Sequence, residues 1–162
     1  MDDCIRFSDL LAYTEAEHAK WKQFFVLHSQ ALDLPCDVAG SGTIRELVFH
    51  IFAVNLNFAN MLLDLERPDF KALPRATLDE LFAIDEDASR KLRRLLQEAR
   101  PEDWATKASL GFIKKDVSKR KMLTQALLHG VHHRAQLATA LRQQGLKQDW
   151  IHDFVLSDVM EE

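Results

Sequence analysis

Two cysteines, four prolines and five glycines in 162 residues are few, and each scarcity removes a class of architecture. Cys4 and Cys36 are too few and too irregularly placed for a disulfide framework or a CxxC zinc site. They are expected to stay reduced and to behave as small hydrophobes. So little Gly and Pro leaves too few turns for an all-β fold. No apolar run approaches the about 20 residues that a bilayer span needs. Basic residues are not in excess, 21 Lys and Arg against 25 Asp and Glu, so the net charge of -4 argues against a general nucleic-acid binder that works by neutralising phosphates. The opening MDDCIRFSDLL lacks the positively charged, then apolar, pattern of a secretory signal, and a cytoplasmic location is the expectation. No Ser-His-Asp arrangement and no phosphate-cradling Gly-rich loop is present.

What remains is a chain rich in helical periodicity, expected to form one domain over residues 1–162. A first helix is predicted from Ser8, as cap, to Leu32, with Leu11, Ala12, Glu15, His18, Ala19, Phe25 and Val26 at helical spacing. LDLPCDVAGSG breaks it. Thr43 and Glu46 form a capping-box signature before a second helix, which carries Leu47, Ile51, Val54, Phe58, Met61 and Leu65 on one stripe and ends before Pro68. Thr77 and Glu80 repeat the signature before a third helix, Leu78 to Ala99. A fourth runs from Val117 to Gln144 and stops at Gly145. Between the last two, Ala108, Leu110, Phe112 and Ile113 read as a short hairpin arm or a packed loop, and Trp150, Ile151, Phe154 and Val155 are expected to fold back on the helices. The sum is an all-α four-helix bundle with long connections.

Three histidines fall in LLHGVHHRAQ, and His129 and His133, four apart, project from one helical face. Seven histidines scattered at random would give roughly 0.3 such pairs, so spacing alone decides little. Their setting adds more: both border the seam Leu123, Ala126, Leu127, Gly130, Leu137, Ala140 and Leu141, and His50 lies by the core stripe of the second helix. Three imidazoles there either share a divalent cation, Zn²⁺, Ni²⁺ or Cu²⁺, with open positions for water or substrate, or each bonds a backbone carbonyl. His132 points about 100° from His133 and is read as structural or exposed. His18, His28 and His152 are read as surface or capping residues. Cys36 has no spacing that aims it at a metal. The basic run KKDVSKRK, residues 114 to 121, reads as a solvated loop and helix start.

TIRELVFHIFAVNLNFANMLL and LLHGVHHRAQLATALRQQG resemble, in order, the second-helix segment and the closing HxxxHRGQ-type helix of the DinB/YfiT-like superfamily. Ala135 stands where that pattern often has Gly, a departure that touches helix packing more than ligation. The resemblance implies an up-down-down-up bundle in which His50, His129 and His133 bind one divalent metal, Zn or Ni in first place, with Arg134 and Gln136 at the flanking polar positions. It also implies a homodimer and a transferase that joins a low-molecular-weight thiol to an electrophilic small molecule. A metal-dependent hydrolase, or a non-catalytic metal-binding or stress-response bundle, are the competing expectations, and neither nucleic acid nor membrane is an expected partner.

Overall fold

The computed structural model describes residues 4–110 and 115–160 of the chain. Its four long helices are α1, Phe7–Leu27; α2, Ile44–Leu62; α3, Leu78–Glu98; and α4, Lys119–Gln143. The two capping boxes form as read. Thr43 Oγ1 accepts the Glu46 N–H at 3.2 Å while Glu46 Oε2 accepts the Thr43 N–H at 3.2 Å, and Thr77 with Glu80 repeats the exchange at 3.2 and 3.0 Å. Each box satisfies two amides that a helix start otherwise leaves unpaired. Gly145 closes α4 at φ +83, where the Leu146 N–H reaches back to the Leu141 carbonyl at 3.0 Å.

Three boundaries differ from the sequence reading, each for a local reason. Ser8 does not cap α1; Asp9 does, its carboxylate accepting the Arg6 N–H at 2.8 Å one residue before the helix. The helix ends at Leu27 rather than Leu32, because His28 leaves helical geometry at φ -129 and Ser29–Asp33 tightens into a 3-10 turn. α4 starts at Lys119 rather than Val117, because Ser118 caps it by accepting the Lys121 N–H at 3.2 Å.

Contacts between helices fix their directions. His18 meets Asp85 and Glu15 meets Arg93, so α1 and α3 run antiparallel. Phe52 packs on Phe82 and Asn60 bonds Lys91, so α2 and α3 run parallel, which requires the long connection through residues 63–77. Leu62 meets Lys119 and His50 meets His129, so α2 and α4 are antiparallel. The order is up-down-down-up.

α2 is the central element, buried along most of its circumference, with Ile44, Leu47, Ala53 and Ala59 wholly out of solvent. Each large apolar side chain removed from water in this way stabilises the fold by about 1.5–3 kcal/mol. Two clusters share the helices: Trp21, Phe25, Leu47, Ile51, Leu81 and Leu141 lead one, Leu62, Leu92, Met122 and Leu123 the other. Leu65 falls past the end of α2 and is 45% exposed.

Two small hairpins lie between helices. β1, Pro35–Val38, pairs antiparallel with β2, Ser41–Thr43, where only a loop was expected. β3, Lys107–Ser109, pairs with β4, Asp116–Ser118, which decides the stretch around Ala108 in favour of a hairpin; Phe112 and Ile113 lie outside the described residues. In the C-terminal segment Trp150 packs edge-on to Trp21 at 4.9 Å and Phe154 to Tyr13 at 5.2 Å. Ile151 and Val155 do not fold back; they are 63% and 80% exposed, and Val155 lies in the 3-10 turn Phe154–Leu156, in which Phe154 is the residue that faces α1.

Candidate metal centre

His50 sits in the first half of α2, and His129 and His133 sit one turn apart in the middle of α4. Antiparallel packing of these helices brings His50 to the His129 and His133 pair, across 79 residues from His129, with one ring nitrogen from each lying within 4.8 Å of the others. Ring centroids stand 5.0 Å apart for His50 and His129, 4.8 Å for His50 and His133, and 4.3 Å for His129 and His133. His132 is exposed and lies outside this group, as its position on the helix predicts. Cys36 is buried in β1 and also outside it, and burial pushes its thiol up from the ordinary value.

The polar contacts leave the cluster poor in partners. His50 Nε2 and His129 Nε2 are 3.1 Å apart, and His129 Nδ1 is buried with no hydrogen-bond partner among the described residues. His133 Nδ1–H donates to Gln136 Oε1 at 2.6 Å, one turn on along α4, so its other nitrogen keeps the lone pair. Burial and the neighbouring rings hold all three imidazoles toward the neutral form. His129 is lowered to about 3, by burial and then by His133, His50 and His132; burial also leads the downward shifts of His50 and His133. Neutral imidazole is the form that donates to a metal.

A cavity of about 570 Å³ opens beside His50 and His129, between α2, α4 and the β3–β4 hairpin. Val54, Phe58, Leu110, Val117 and Met122 make its wall apolar, while Lys115, Lys121 and Gln125 supply its polar groups. Among the described residues no carboxylate lines it.

Behind the cluster runs a buried polar network that the sequence reading missed. Arg134, 3% exposed, donates from Nη1 to His18 Nε2 at 3.1 Å, and His18 Nδ1–H donates to Asp85 Oδ1 at 2.7 Å. This overturns the surface reading of His18, which is itself only 3% exposed. Gly130 makes room for the arrangement, since a Cβ there would stand 3.0 Å from Arg134 Nη1. Glu17, 1% exposed, accepts from Trp150 Nε1 at 3.1 Å, from Lys20 Nζ at 2.9 Å and from His152 Nδ1. His152 is therefore no free surface residue either, whereas His28 does stand at the C-cap of α1. Glu17 carries no apolar signal, and its only sequence mark is its place one residue from His18 on the inward side of α1.

Comparison with known proteins adds to this geometry. No curated protein matches the chain. Among solved structures, YfiT from Bacillus subtilis, described as a probable metal-dependent hydrolase with an unusual four-helix bundle topology, superposes with a TM-score of 0.67 at 21% identity, over 90% of this chain and 93% of its own. The DinB-like protein YjoA from Bacillus subtilis superposes with a TM-score of 0.62 at 18% identity, over 89% and 97% respectively. At these identities the likeness establishes the four-helix fold. The sequence model of the DinB family matches residues 9–158, nearly the whole chain, and by that match the protein belongs to the DinB family.

Proposed function

We propose that His50, His129 and His133 together hold one divalent cation, Zn²⁺ or Ni²⁺, and that the protein uses it to join a low-molecular-weight thiol to an electrophilic small molecule. The observation that carries this reading is the convergence of three imidazoles held toward the neutral form, two of which, His50 and His129, stand on the wall of an open cavity. Their chemistry fits a cation. Two neutral ring nitrogens 3.1 Å apart share at most one proton between them, whereas a cation engages both lone pairs at once. Three nitrogen donors without a carboxylate suit Zn²⁺ or Ni²⁺ better than the oxygen-seeking Mg²⁺ or Ca²⁺.

When bound, such a cation acts as a Lewis acid that lowers the pKa of a thiol or water beside it. The chain's own residues do the positioning. Gln136 fixes the tautomer and ring angle of His133, and Val54, Phe58 and Met122 keep one side of the cavity dry. Among the described residues no carboxylate lines the cavity to take a proton from water, and the imidazoles there are committed to the cation. A thiol, with an ordinary pKa of about 8.5, needs far less help, and this favours thiol transfer. Hydrolysis at the same site is the second reading, supported by the description of YfiT.

The test uses protein purified without an affinity tag. Elemental analysis should find a transition metal in the native chain and little in His50→Ala. Cysteine consumption with chlorodinitrobenzene should then require that metal, and release of nitrophenol from nitrophenyl acetate should be weak. Metal-dependent ester cleavage without thiol consumption would select hydrolysis. A native chain that takes up no Zn²⁺ or Ni²⁺ would remove both enzyme readings and leave a non-catalytic bundle.

A further inference from the structure

The basic run at residues 114–121 has no role in the chemistry above, and its place in the fold gives it one. The β3–β4 hairpin and the first turns of α4 bring Lys115 and Lys121 to the cavity that His50 and His129 share. Lys119, between them in sequence, is already committed: its Nζ bonds Asp64 at 2.8 Å and the Leu62 carbonyl at 2.9 Å. Lys115 and Lys121 have no carboxylate within ion-pair distance among the described residues. Two unpaired ammonium groups at one opening, on a chain whose net charge is -4, mark a local reversal of sign.

The rest of the wall limits what kind of anion fits. Val54, Phe58, Leu110, Val117 and Met122 offer no side-chain hydrogen bond to a sugar or a nucleotide base. About 570 Å³ is the size of a small-molecule site rather than a protein groove. A molecule that satisfies both halves has an apolar body against α2 and α4 and an acidic group at the two lysines.

We infer that this cavity selects amphipathic organic acids: aryl or alkyl carboxylates whose apolar body packs on Val54, Phe58 and Met122, whose anionic end meets Lys115 and Lys121, and whose reacting group faces the histidines. The selection rests on the proposed function, because those histidines are its reacting centre. Binding of the acid, however, needs only the cavity and the lysines. The two claims therefore fail separately.

Calorimetric titration of the metal-stripped protein with phenylbutyrate and with its neutral counterpart phenylbutanol tests the assignment, and stripping the metal keeps the carboxylate from simply coordinating it. The acid should bind more tightly than the alcohol. In the double variant Lys115→Gln, Lys121→Gln that advantage should shrink by about fivefold, the scale of two exposed ion pairs, and added salt should shrink it in the native chain. Val54→Trp, which fills the cavity, should abolish binding of both compounds. Equal binding of acid and alcohol, an advantage that survives the double variant, or acid binding that survives Val54→Trp would each overturn the inference. Selective acid binding by a chain that takes up no Zn²⁺ or Ni²⁺ would uphold the cavity assignment and overturn the proposed function instead.

Discussion

Glu17 provides the most quantitative perturbation this structure allows. The carboxylate is 1% exposed and accepts hydrogen bonds from His152, Lys20 and Trp150. Burial alone would raise its pKa, but these donors outweigh it and bring the group from an ordinary 4.5 to about 2. That difference corresponds to about 3 kcal/mol of folding stability at neutral pH. Since the folded value lies below the unfolded one, the contribution is complete above about pH 4.5, and acid removes it on the way down to about pH 2. Glu17→Gln cannot ionise, and its amide also places a donor against the indole and imidazole N–H groups. Urea unfolding should find the variant about 3 kcal/mol less stable than the native chain at pH 7, with the gap roughly halved by about pH 3. Trypsin should also cut the variant faster after Lys147, because the segment carrying Trp150 and His152 loses its anchor on α1. A stability gap that stays constant between the two pH values would refute the reasoning, as it would show that the carboxylate's charge contributes nothing.

Further outcomes follow from the site and from the caps. His129→Ala and His133→Ala should each lose bound metal, measured by elemental analysis, while His132→Ala keeps it; equal loss in all three would contradict the facing of α4. Gln136→Leu removes the acceptor of the His133 Nδ1–H, and chelator competition should show metal affinity about 10- to 100-fold weaker with the fold unchanged. Gly145→Ala forces a side chain into φ +83 and should lower stability by about 1 kcal/mol in the same urea assay, with no effect on metal content.

Local signals carried the helices well. Thr43 with Glu46 and Thr77 with Glu80 act over three residues, so their capping boxes are complete within a short peptide and are found where the sequence places them. The same locality explains the failures at α1. Its buried face carries Tyr13, Thr14, Glu17 and His18, and polar side chains buried by partners on other elements break the apolar period on which the reading relied. Ala12, Ala19 and Val26, counted toward the core by spacing, face solvent. The resemblance to the DinB/YfiT-like superfamily, resting on two histidine segments, is upheld by the family match over residues 9–158.

What the sequence by itself determined is therefore what neighbouring residues decide among themselves: four helices, the capped starts of α2 and α3, the glycine stop after α4, and the projection of His129 and His133 from one face. Tertiary structure alone decided what meets across long separations. His50 reaches His129 over 79 residues, His18 reaches Arg134 over 116, and Glu17 reaches His152 over 135. Periodicity fixes the rotation of a side chain about its own helix but not which helix packs against that face, at what height or in which direction. The cavity beside the histidines belongs to the second kind of information, because its walls are drawn from α2, α4 and a hairpin that only packing brings together.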